Sequence, residues 1–152
     1  RRILLLTERT DHLAALETRL QDVGPALFRF HGRMTVRARK ETLASFRDWS
    51  GTDPFILLAT GRLIGEGFDD PRFDALVLAL PFAWKGTLQQ YVGRLDRLSP
   101  DKPRAIILDY VDGGIPVLER MATKRRAGYA ALGATVLEST PQWDLLVPRF
   151  AD

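Results

Sequence analysis

The chain has no cysteine, two histidines and two methionines. Without thiols there can be no disulfides and no thiolate metal sites, and the composition fits a reducing cytosol. His12 and His31 fall on different predicted elements, so no histidine metal centre is expected. No apolar run approaches the roughly 18 residues that span a membrane. The opening RRILLLTERT is too short, and turns polar too soon, to act as a signal peptide. Neither G-x-G-x-x-G nor G-x-x-x-x-G-K-[ST] occurs, so the chain brings no phosphate-cradling loop of its own. These absences describe a soluble, cytoplasmic protein. It starts on a strand-like run with no methionine, as an excised fragment would.

What is present suits one globular domain. The 152 residues are 45% hydrophobic and 27% charged, enough to bury a core without staples. Formal charge is +3, and the excess comes from arginine, whose planar fork favours phosphate and carboxylate partners. A charge this small points only weakly to nucleotides or nucleic acid.

Apolar runs at 3–6 (ILLL), 55–59 (FILLA), 75–80 (ALVLAL) and 105–111 (AIILDYV) do not alternate, as expected of strands covered on both faces. A shorter strand, LFRF, is expected at 27–30. Between the runs lie helical patterns. The first carries Leu13, Leu16 and Leu20, with Thr10 or Asp11 as N-cap and Gly24 as a stop. The second has Thr35 as cap and Val36, Leu43, Phe46 and Trp49 on its packed side. GTLQQYVGRLDRL gives a third helix, and a fourth starts at Pro116, where proline is tolerated. This alternation predicts a three-layer α/β domain with a mainly parallel central sheet flanked by helices, and ligands at the carboxyl ends of its strands.

Three segments near those ends carry chemistry. GRLIGEGFDDP combines three glycines with three aspartates or glutamates before its proline. Its acids could accept hydrogen bonds from ribose hydroxyls or cations, or the segment could be a solvated surface turn. HGRMTVRARK leads from a strand into a helix start, where backbone amides and Arg33, Arg37, Arg39 and Lys40 would attract phosphate; a solvated basic face is the alternative. In QQYVGRLDR, Gln90, Arg94 and Arg97 are spaced four and three apart and share one helical stripe. The two cations await either an anion or the carboxylates of Asp96 and Asp101.

Taken in order, ILLLTERTDHL, HGRMTVRARKETLASF, ILLATGRLIGEGFDDP and QQYVGRLDR resemble motif IV, the H-G segment, motif V and motif VI of the second motor domain of superfamily 2 helicases and translocases. ATGRLIGEGFDDP looks like A-T-x-x-x-x-G-E-G-x-D, and QQYVGRLDR like Q-x-x-G-R-x-x-R. The resemblance covers roughly residues 2 to 112, and four motifs in order are far more specific than any one of them. The later ILDYVD and the helix after it look like the end of this domain in DEAD/DEAH-box proteins related to restriction-enzyme motor subunits.

The resemblance implies a RecA-like domain over residues 1–138, followed by a tail or the start of another segment over 139–152. In such proteins, ATP with Mg²⁺ is bound mainly by a first RecA-like domain, and nucleic acid lies across both. Arg97 then corresponds to the arginine finger, Arg94 to its companion on the phosphates, and Gln90 to a polar contact with the γ-phosphate or attacking water. Gly65, Glu66, Gly67 and Asp69 fall on the nucleotide side, and Thr7, Gly32, Arg33 and Thr60 on the nucleic-acid backbone, DNA in this reading. One departure stands out: Leu95 and Asp96 occupy the positions between the two arginines, where many family members carry small residues. The bulk of Leu95 is absorbed if it faces the core, whereas Asp96 could weaken a neighbouring finger. The alternative class is a non-catalytic nucleic-acid-binding module on a degenerate motor fold.

Overall fold

A computed structural model of the chain describes residues 1–49, 52–61, 70–82, 86, 89, 92, 95 and 105–137. Its strands are β1 (Arg2–Thr7), β2 (Ala26–Phe30), β3 (Phe55–Thr60), β4 (Ala75–Leu78) and β5 (Ile106–Asp109). The helices are α1 (Thr10–Leu20), α2 (Val36–Asp48) and α3 (Pro116–Ala131). The five strands form one sheet in the order β2-β3-β1-β4-β5, and every adjacent pair is parallel.

The unbroken apolar runs have the cause the sequence suggests. All six residues of β3 and all four of β4 are buried, because each strand has neighbours on both sides and cover on both faces. One face packs Leu4, Leu6, Phe46, Phe55, Leu57, Phe73, Leu76 and Tyr129 into a single cluster. The other is smaller and is closed by Leu13 of α1 against Leu5, Ile56, Leu58 and Val77. The edge strands β2 and β5 are only partly buried.

Local expectations hold with three exceptions. Thr35 caps α2, its hydroxyl accepting from the Ala38 amide at 3.2 Å, and Pro116 opens α3. At α1, however, Thr10 is already helical and Arg9 is the N-cap, with no side-chain cap bond. Asp11 sits one position inside, pairs with Arg9 and accepts from the His12 amide, which together hold its carboxyl well below the usual carboxylate range. The helix then ends at Leu20, short of Gly24, whose φ of +105° instead serves the turn into β2. Val36, expected on the packed side of α2, is 74% exposed; Phe46 at 1%, with Leu43 and Trp49, does the packing. Among the described residues no helix is long and apolar enough to cross a membrane.

Candidate nucleic-acid and nucleotide interface

The carboxyl ends of β2, β3 and β1 lie side by side. Thr7 and Thr60 are register partners at the last pair of β1 and β3. Phe30 pairs with Ala59 across β2 and β3, so His31 follows one step on, level with Thr60. The row from His31 through Thr60 to Thr7 therefore spans two strand spacings, about 10 Å. Gly32 and Arg33 lie just beyond it and are exposed. Residues from three separate segments, Thr7, Gly32 with Arg33, and Thr60, thus converge on one edge of the sheet.

The two threonines are lodged inside that edge. Thr7 is fully buried and Thr60 is 7% exposed. The Thr7 hydroxyl lies 2.9 Å from Nδ1 of His12, which ties the end of β1 to the first turn of α1. His31 is half-buried, and its Nδ1 is buried with no hydrogen-bond partner. Burial lowers the pKa of its imidazole, and the cations Arg29 and Arg33 push the same way. The neutral ring is favoured.

Helix α2 begins beside this row. Its first turn holds no acidic residue, and Arg37, Arg39 and Lys40 crowd an end where the helix dipole disfavours cations. Arg37, Lys40 and Arg47 fall along one exposed side of the helix, with Arg33 just ahead of it. Among the described residues Arg37 pairs with Glu41 one turn on, and its side chain is 89% exposed, so the interaction is of small worth. Arg33, Lys40 and Arg47 make no ion pair among the described residues.

Gly65, Glu66, Gly67, Asp69, Gln90, Arg94 and Arg97 lie outside the described residues, as does the 139–152 tail. What can be placed is their setting. Gln89, Val92 and Leu95 are helical, and Leu95 is 4% exposed within the larger core cluster. Leu95, one of the two residues between the candidate arginines, therefore faces the core, which is the condition for its bulk to be absorbed. Among the described residues, no group of three or more histidines, aspartates or glutamates could hold a metal ion.

Two arginines that sequence reasoning passed over organise the flanks. Arg72 grips Asp70 with both ends of its guanidinium, at 2.7 to 3.2 Å, and donates to the carbonyls of Trp49 and Phe46 at the end of α2. It also lies over the Phe46 ring at 4.5 Å. Arg125, 2% exposed, forms two bonds to Asp109 and one to the Phe82 carbonyl, and the Tyr129 hydroxyl donates to the same carboxylate. Burial, with the Asp109 charge beside it, raises the Tyr129 pKa. A signal for Arg125 did exist. It shares a helical stripe with Ala122 and Tyr129, and an arginine on an inward stripe needs a buried partner. Arg72 left less trace, since DDPR reads as a turn.

An all-parallel sheet flanked by helices, with its candidate contacts gathered at the carboxyl edge, is the architecture of a RecA-like motor domain. The fold matches the crystal structure of the C-terminal part of the Fun30 ATPase domain, with a TM-score of 0.61 at 17% identity. That match covers 80% of this chain and 38% of the solved one, so the chain spans well under half of that structure. The chain itself belongs to the family of the helicase conserved C-terminal domain, which matches residues 1–99. It is also similar to "Uncharacterized protein 108L" of Invertebrate iridescent virus 3, 33% identical over 87 residues, which cover 57% of this chain and 79% of that protein.

Proposed function

We propose that the chain is the second motor domain of an ATP-dependent DNA helicase or translocase, inactive on its own and completed by a first RecA-like domain that holds ATP and Mg²⁺. The observation that carries the reading is the crowd of cations at the start of α2, with no acid in its first turn, beside the row of His31, Thr60 and Thr7. Cations at a helix start cost stability locally, and an incoming phosphate backbone would offset that cost. Arg33, with the Gly32 backbone, would touch the tracked strand. Thr60 and Thr7 would contribute at the strand ends once an opening exposes them. Contacts of this kind go to phosphate and sugar, so they position a strand without reading its sequence.

On the nucleotide side, bound ATP supplies the phosphoryl group to be transferred. This chain's part is to bring cations to it. Arg97 would place a guanidinium against the charge that spreads over the equatorial oxygens, with Arg94 on the neighbouring phosphates and Gln90 as a polar contact. Gly65, Glu66, Gly67 and Asp69 would approach the nucleotide from the same domain. Leu95, next to Arg94 in the sequence and buried in the larger core cluster, supports this arrangement.

Arg97→Ala, in the protein carrying both RecA-like domains, is expected to lower nucleic-acid-stimulated ATP turnover by about 10³-fold or more while DNA binding persists. Near-normal turnover would remove the finger assignment and favour a non-catalytic binding module on the same fold.

A further inference from the structure

The chain's two histidines stand at either end of the strand-end row, and only one has its inward nitrogen bonded. His12, in the first turn of α1, turns Nδ1 onto the Thr7 hydroxyl at 2.9 Å. His31, just past β2, turns Nδ1 into the protein, where it is buried without a hydrogen-bond partner. Its Nε2 makes no hydrogen bond among the described residues and is not a buried atom, so it opens to the surface. A local turn fixes the ring's base. The His31 carbonyl accepts from the Met34 amide at 3.1 Å, and the His31 amide donates to the Met34 sulfur at 3.5 Å.

A buried nitrogen with no partner costs free energy, and an apolar side chain would fill the same half-buried place without that cost. The use of an imidazole here therefore lies in the nitrogen turned outward. Protonating the ring would also put a hydrogen on Nδ1, where no acceptor waits. Burial opposes the charge first, and the cations Arg29 and Arg33 add to that; Glu17 of α1, paired with Arg29 at 2.6 Å, offsets part of it. A neutral ring with its hydrogen on Nε2 avoids both penalties and presents a donor to the surface. Gly32, next along, supplies a second observation. Its φ lies outside the left-handed region, and a Cβ there would meet none of the described residues within 4 Å. Neither the turn nor the packing requires a glycine, whereas a close approach by a group from outside does.

We propose that His31 is a further contact to the nucleic-acid backbone, donating Nε2–H as an uncharged group to a phosphate oxygen that comes to rest against Gly32. The proposal rests on this edge of the sheet binding nucleic acid, as read above. Arg33 and His31 then hold one stretch of backbone by different means. The arginine displaces a counterion when it binds, and the imidazole, carrying no charge, displaces none.

The test is binding of a mixed-sequence DNA oligonucleotide across a range of salt concentrations by the protein carrying both RecA-like domains, at about pH 8, where an ordinary imidazole is neutral. His31→Ala is expected to weaken binding about 3- to 10-fold at every salt concentration, with the slope of log affinity against log salt unchanged. Arg33→Ala should instead make that slope shallower by about one. His31→Gln, whose amide nitrogen can stand in for Nε2, should bind like the wild type, and His31→Asn, whose amide reaches only as far as Nδ1, should not. Wild-type affinity in His31→Ala overturns the proposal, and so does a slope that flattens as it does in Arg33→Ala, since His31 would then be acting as a cation. If His31→Ala does not fold, the glutamine and asparagine variants carry the test, and equal affinities in the two overturn the proposal. Gly32→Ala should weaken binding by a similar factor with no loss of Tm, and unchanged binding would remove the phosphate from this place. DNA binding by the wild type that shows no salt dependence would instead remove the reading of the whole edge.

Discussion

Arg125 and Arg37 carry the same group on two helices of one domain and live under opposite conditions. The side chain of the first is 2% exposed with all its nitrogens bonded, and that of the second is 89% exposed beside a single glutamate. The helices of the domain differ in a related sense. In α1, Asp11 lies in the first turn and Arg19 in the last, as the helix dipole prefers, whereas α2 puts cations at its start and no acid there. The contrast separates arginines that build the fold from arginines whose partner lies outside it. The first group ties distant segments together, and the second is set beside the carboxyl edge of the sheet.

The sharpest way to break this division is to remove a builder. Arg72 joins Asp70 to the end of α2, with its side chain 18% exposed. Arg72→Met should cost roughly 2–4 kcal/mol, because Asp70 and two helix-end carbonyls lose a charged donor. Thermal unfolding would show it as a drop in Tm of roughly 5–15 °C. A drop of only a degree or two would place Arg72 with the outward-looking group.

Removing the outward group should do the reverse. Replacing Arg33, Arg37 and Lys40 together by alanine should change stability by less than about 0.5 kcal/mol per site, and towards greater stability where dipole strain is relieved. The salt dependence of DNA binding should become shallower by about one counterion for each phosphate that is no longer gripped. An unchanged salt slope would make these cations a solvated face and nothing more.

The smallest effect belongs to His31, between the groups. Its pKa is lowered in the folded state, so the folded form binds its proton less readily than the unfolded form. Its penalty is absent above the ordinary imidazole value of 6.5, grows as pH falls below it, and levels off below the folded pKa. His31→Gln should flatten that part of a stability-against-pH curve, and an identical curve would show that the ring is not strained by burial.

The sheet was legible because a strand covered on both faces has to be apolar throughout, as ILLL and FILLAT are. The strand order was not, since nothing in 55–60 or 75–78 says that β3 and β4 flank β1. Cap chemistry was readable at Thr35, where a hydroxyl meets an amide three residues on. It was misread at Thr10, because Arg9 takes the boundary by backbone geometry alone. For the site, the motifs pointed to Thr7, Gly32, Arg33 and Thr60, which the fold gathers at the carboxyl edge of the sheet. They could not show Asp109 and Arg125 closing on one another, since that pairing depends on how α3 lies against β5.

The order of the strands also bears on how the chain is made. β1 leaves the ribosome before the other four strands of its sheet, yet Ile3 pairs with Ile56 on one side and Ala75 on the other. A nascent chain that stops short of residue 55 offers β1 neither of these partners, and its apolar run must wait through two helices and an edge strand. Long-range pairing of this kind folds slowly and leaves strand edges open to other chains meanwhile. The strand at the centre of the finished sheet is thus made early and flanked late, so the pace of translation through residues 55–78 governs how long this domain stays a hazard to itself.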